Sequence, residues 1–199
     1  MIAQPQYPQK MTAEEYLEWE AKQELRHEYI DGEICAMTGG SIPHNDIALN
    51  FYRALYPRLH HRGCRVNVSD VKVQASQNSR YFYPDLVMTC DPQDLKSRGF
   101  IQHPKVIVEV LSPSTASYDS PSETLCERGD KFKFYRQIPS LQEYVLVDSE
   151  AISVEVYHRG EGKMWLYYAY TDGDAIALPS IEFECLIELL YEGVSFDKE

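Results

Sequence analysis

The stretch YFYPDLVMTC (residues 81–90), taken with HPKVIVEVLSPST (103–115) and RGDKFKFYRQI (128–138), decides how this chain is read. Two apolar runs each carry one acid: Asp85 opens DLVMTC, and Glu109 lies inside VIVEVL. Short runs rich in Val, Ile and Leu, bounded by Pro and Gly, predict buried strands. Glu109 is flanked by Val108 and Val110, so whichever face it takes is poorly solvated. An ionised carboxylate in such a place is costly unless a cation or strong donors meet it. Either Lys131 answers that charge, or a metal ion holds Glu109 together with Asp85.

The third piece predicts a helix. With Lys131 as i, Phe134, Tyr135 and Ile138 fall at i+3, i+4 and i+7, so Lys131 begins the apolar face and points toward the sheet. Lys133 and Arg136 point away. A lysine at that end of an apolar stripe can also snorkel to water. An acid in the preceding strand favours a contact between the two.

Working outward, Thr12 and Glu15 form a capping box at the start of a helix, with Met11 and Tyr16 as a hydrophobic staple. Leu17, Ala21 and Leu25 follow on one face. Asp31-Gly32 is a two-residue turn between Glu28-Tyr29-Ile30 and Glu33-Ile34-Cys35, which predicts a hairpin. Taken alone, Glu28 reads as a solvated edge acid. Gly39-Gly40-Ser41 breaks the chain before a second helix, whose stripe is Ile47, Phe51, Ala54 and Leu55, with Pro57 bending or ending it. His44 opens that helix. Most such histidines are caps or surface groups, but beside carboxylates one could bind phosphate or relay a proton.

RVNVSDVKVQA predicts one or two strands, LQEYVLVD another, and AISVEVYHRGEGKMWLYYAY a hairpin turning at residues 159–162. Phe183, Ile187 and Leu190 suggest a short closing helix. Residues 112–127 form one long polar loop, and 1–10 a short tail. This order of elements describes an α/β or α+β domain spanning 1–199.

Composition sets the limits. The chain has 199 residues, 44% of them apolar, enough for one sizeable core. No apolar run approaches the ~18 residues of a membrane span, and MIAQPQYPQK lacks a signal-peptide core. Five scattered cysteines without a CxxC pair favour a reducing cytoplasm and argue against a zinc site. The net charge of −12 argues against a nucleic-acid partner. By segment, however, residues 51–138 carry 13 basic and 9 acidic groups, while both flanks are strongly acidic. Arg53, Arg58, Arg62, Arg65, Lys72, Arg80, Arg128, Lys131, Lys133 and Arg136 thus share a segment with the two strand acids.

The pieces MTAEEYL, RHEYIDGEI, the His44 helix, YPDLVM, VIVEVLSPST, DKFKFYRQIPSLQEYVLVD and VEVYHR, in this order and spacing, resemble the Uma2 family from about Met11 to Ile187. The resemblance implies a PD-(D/E)xK restriction-endonuclease-like fold, a mixed central sheet flanked by helices, here with added antiparallel hairpins. It implies Asp85 and Glu109 as metal ligands, with the Val110 carbonyl as a third. Leu111 stands where the simplest motif has its lysine, and Lys131 looks like that lysine relocated. Glu28 and His44 match polar positions often near the family's site. Asp119 or Glu127 answers to a further acid.

Hard oxygen donors suit Mg²⁺ or Mn²⁺. The expected function is metal-dependent cleavage of DNA, in the cytoplasm. Nucleases of this fold often dimerise to reach both strands, so the resemblance admits a homodimer. Two other readings remain open. One is a nuclease-fold protein that binds nucleic acid or a partner without cutting. The other makes Asp85 and Glu109 structural, satisfied by backbone amides or tyrosine hydroxyls.

Overall fold

A computed structural model describes residues 10–37, 39–76, 79–111 and 131–196. The tail up to residue 9, the polar loop and the two acids Asp119 and Glu127 lie outside them. The Thr12 capping box closes as read: Thr12 Oγ1 accepts from the Glu15 amide, and Glu15 reaches back to the Thr12 amide. Helix α1 (Ala13–Glu20) is shorter than the sequence suggested. It buries Ala13, Tyr16 and Glu20, whereas Ala21 and Leu25 are exposed. Strands β1 (His27–Ile30) and β2 (Glu33–Ala36) form the predicted hairpin, with Ile30 opposite Glu33. Asp31 and Gly32 both take positive φ, 51° and 103°, as a tight hairpin turn demands.

Helix α2 (Ile42–Leu59) is capped by Ser41 and runs through Pro57 without ending there. RVNVSDVKVQA divides into β3 (Arg65–Val68) and β4 (Lys72–Ser76), which join different sheets. Next come β5 (Arg80–Phe82), β6 (Leu86–Thr89), α3 (Pro92–Lys96), β7 (Phe100–Ile101) and β8 (Val106–Leu111). Then follow α4 (Lys131–Tyr135), β9 (Glu143–Asp148), β10 (Ser153–Arg159), β11 (Trp165–Thr171), β12 (Ala175–Leu178) and β13 (Phe183–Leu186). Phe183 lies on β13 and pairs with Leu178, so only residues 187–190 of the expected closing helix are helical, as a 3₁₀ turn.

The fold is mixed α+β. A six-stranded sheet runs β11-β10-β9-β8-β6-β3, with β8 and β9 parallel and the other pairs antiparallel. A five-stranded sheet runs β2-β1-β5-β4-β7. Alternation on β8 builds the layers. Val106, Val108 and Val110 face the core shared with α2 and the β12–β13 pair. Ile107 faces a second core, where Ile30, Val73 and Phe82 of the five-stranded sheet meet Tyr135 and Ile138. Helix α1 covers the outer face of that sheet with Tyr16 against Tyr29 and Tyr81. Strands buried on both faces read as continuous apolar runs, which is why VIVEVL carries so little polarity.

One reading needs correction. Cys64 and Cys90 form a disulfide with their Cα atoms 4.2 Å apart. The β3–β6 register, Arg65 opposite Thr89, brings these distant thiols face to face. The reading of a reducing compartment rested on unpaired thiols and loses that support. The arginines of α2 reach the segment around residues 182–192. Arg53 pairs with Glu192, Arg62 with Glu182, and Arg58 donates to the Glu184 carbonyl while lying over Phe183. Among the described residues no helix is long and apolar enough to cross a membrane.

Candidate active site

Each site residue is delivered by the end of an element. Asp85 immediately precedes β6, Glu109 sits near the end of β8, Glu28 lies on β1, His44 on the first turn of α2, and Lys131 on α4. The antiparallel pairing of β6 with β8, Leu86 opposite Val108, sets Asp85 beside the Glu109–Val110 segment. The Val110 amide donates to Asp85 Oδ2 at 2.7 Å. His44 Nε2 stands 3.3 Å from the same oxygen. Lys131 Nζ lies 2.7 Å from Glu28 Oε1 and 3.6 Å from Glu109 Oε1. The structure therefore brings Asp85, Glu109, Val110, Lys131, Glu28 and His44 into one cluster.

Glu28 is the residue the sequence placed worst. It is buried, because β1 lies between β2 and β5 rather than at an edge. Its Oε1 accepts from the Tyr83 amide at 3.1 Å as well as from Lys131. The tyrosine hydroxyl that the sequence allowed as a partner for these acids, without naming it, is that of Tyr135, which donates to Glu109 Oε1 at 3.1 Å. Its position on the apolar stripe was visible in the sequence, and a buried tyrosine hydroxyl needs a partner. Nothing local named Glu109 as that partner.

The electrostatics are unbalanced. Burial pushes the Glu109 carboxyl up to about 8; Lys131 works against this, while Asp85 and Glu28 add to it. Burial would weaken the Lys131 ammonium, but the Glu109 and Glu28 charges outweigh it and hold the proton more firmly than in free lysine. A hydrogen bond to Asp85 raises the His44 pKa against the effect of burial, with help from Asp85, Glu109 and the Val110 backbone. Three carboxylates thus face one ammonium and one imidazole.

Val110 N–H and Tyr135 O–H are the kinds of donor that the structural reading of these acids requires. They do not settle the balance, since burial and the neighbouring Asp85 and Glu28 still push the Glu109 carboxyl up. The donor chemistry fits a divalent ion: two carboxylates and a carbonyl are hard oxygen ligands, and a doubly charged cation would offset the excess. Among the described residues no three His, Cys, Asp or Glu side chains already close around an ion position.

The mixed sheet flanked by helices is a restriction-endonuclease-like fold, and the comparisons agree. The Uma2 family, described as "Putative restriction endonuclease", matches residues 13–188, and the chain belongs to it. It is 40% identical over 187 residues to "Uncharacterized protein slr1290" of Synechocystis sp., covering 94% of each chain. A second Synechocystis relative, "Uncharacterized protein sll1609", is 35% identical over 158 residues, covering 78% of this chain and 85% of the other. The crystal structure of a "putative nuclease belonging to DUF820" from Anabaena variabilis superposes with a TM-score of 0.71 at 16% identity. That match covers 92% of this chain and 98% of the other.

Proposed function

We propose that the chain is an endonuclease hydrolysing phosphodiester bonds in DNA with the aid of Mg²⁺ or Mn²⁺. The observation that carries this reading is the convergence of Asp85, Glu109 and Lys131, with Lys131 Nζ 3.6 Å from Glu109 Oε1. Asp85, Glu109 and the Val110 carbonyl would hold the cation, which supplies positive charge at the scissile phosphate and a more acidic water. In the reaction a water oxygen bonds to phosphorus and the bond to the leaving sugar oxygen breaks. The water gives up one proton and the leaving oxygen takes one.

Lys131 orients that water and faces the charge that builds on the phosphate oxygens. Held protonated, it acts as a donor and not as the base. Glu28 anchors the ammonium from the far side, and the Tyr83 amide in turn anchors Glu28. Tyr135 fixes one Glu109 oxygen. The test is cleavage of plasmid DNA by the purified chain with each ion, beside Asp85→Ala. The reading is abandoned if neither protein cuts.

A second reading, binding without cutting, draws on Lys131 lying closer to Glu28 than to Glu109. It predicts DNA affinity that falls steeply with salt, with no cleavage under any ion.

A further inference from the structure

His44 is not placed like a cap or a surface group. Its Nε2 faces Asp85 Oδ2, the carboxylate assigned to the cation, and its ring also engages the Val110 backbone. The ring is seated by the loop before α2. A Cβ built on Gly40 would lie 2.7 Å from His44 Nδ1 and 3.1 Å from Cγ, so a side chain at residue 40 forces the imidazole or the loop before α2 to shift. Ser41 caps the helix by accepting from the His44 amide, which fixes the backbone while Gly40 leaves room for the ring. Helix start and glycine together aim Nε2 at the Asp85 carboxylate.

We infer that His44 Nε2 is itself a ligand of the cation, and that it biases the site toward Mn²⁺ over Mg²⁺. This rests on the metal-dependent reading above and deepens it. A site of carboxylate, carbonyl and water oxygens accepts either ion, whereas an imidazole nitrogen favours the transition metal.

The test is titration of metal-stripped protein with MnCl₂ or MgCl₂ alone, with pulsed EPR of the Mn²⁺ form. The expected results are ¹⁴N modulation from one directly bound imidazole and Mn²⁺ affinity about tenfold or more above that for Mg²⁺. His44→Gln removes the modulation and lowers Mn²⁺ affinity by about tenfold, with a smaller loss for Mg²⁺. Gly40→Ala, which keeps the imidazole but crowds it, weakens the modulation; with the wild-type spectrum it decides the matter if His44→Gln does not fold. Mn²⁺ that binds, is lost in Asp85→Ala and shows no nitrogen coupling overturns the role of His44 alone. Absence of any Mn²⁺ or Mg²⁺ binding overturns the metal-dependent reading as well.

Discussion

Two glutamates lie buried at opposite ends of the same parallel strand pair, and they have opposite surroundings. Glu143 opens β9 opposite Val106, and its oxygens receive the Ser180 amide at 2.9 Å and the Ser180 hydroxyl, with His158 Nδ1 at 3.8 Å. Glu109, opposite Leu146 toward the other end, receives one tyrosine hydroxyl and shares one lysine with Glu28. Both are shielded from water, 3% and 9% exposed. Burial therefore does not mark the site. What separates the two is that donors answer Glu143, whereas further carboxylates crowd Glu109.

The contrast breaks most sharply in catalysis. Asp85→Ala, Glu109→Ala and Lys131→Met should each lower plasmid nicking by about 10³-fold, while Glu143→Ala keeps it within a few-fold. Equal losses at both ends would erase the distinction. Next in size is the response to metal. Mn²⁺ at about a hundred times its Kd should stabilise the fold by about 2.7 kcal/mol, read as a rise in the urea midpoint. Glu143→Ala should keep that increment and Glu109→Ala lose it.

Stability without metal should run the other way. Glu143→Ala strands the Ser180 donors and should cost about 1–3 kcal/mol. Glu109→Gln should instead raise stability near neutral pH, by about 1 kcal/mol or more, because Glu109 ionises in the unfolded chain but is held neutral by burial in the folded one, whereas glutamine is neutral in both. The smallest effect is its pH dependence. Burial pushes the folded Glu109 carboxyl up to about 8, against the ordinary 4.5 of the unfolded chain. Above that lower value the unfolded state binds fewer protons than the folded one, so the Glu109 contribution to stability falls as pH rises toward 8. The difference in urea midpoint between wild type and Glu109→Gln, followed across this range, should widen with pH.

What the sequence disclosed was local. Asp31-Gly32 announced its turn and Thr12 with Glu15 its helix start, because both signals sit within a few residues of their effect. Asp85 and Glu109 stood out because strands that bury both faces leave so little polarity to compete with them. Lys131 could be aimed at the sheet from its helical stripe. Glu28 could not be placed, since its burial depends on β5 pairing with β1 and on a lysine 103 positions away. The Cys64–Cys90 bond likewise follows from strand register. The partners of Arg53, Arg58 and Arg62 lie more than a hundred residues further along, where no periodicity in α2 could point to them.

The clasp between α2 and that late segment carries a consequence for biosynthesis. Asn50 donates to the Leu190 and Glu192 carbonyls, Phe51 stacks on Phe183, and the α2 arginines reach the residues between. Chain leaving the ribosome through β9 already contains every acid of the cluster, yet the helix presenting His44 still lacks its outer brace. The nascent helix thus gains these partners only after residues 181–192 have been made, and lesions there would act on a centre they never touch.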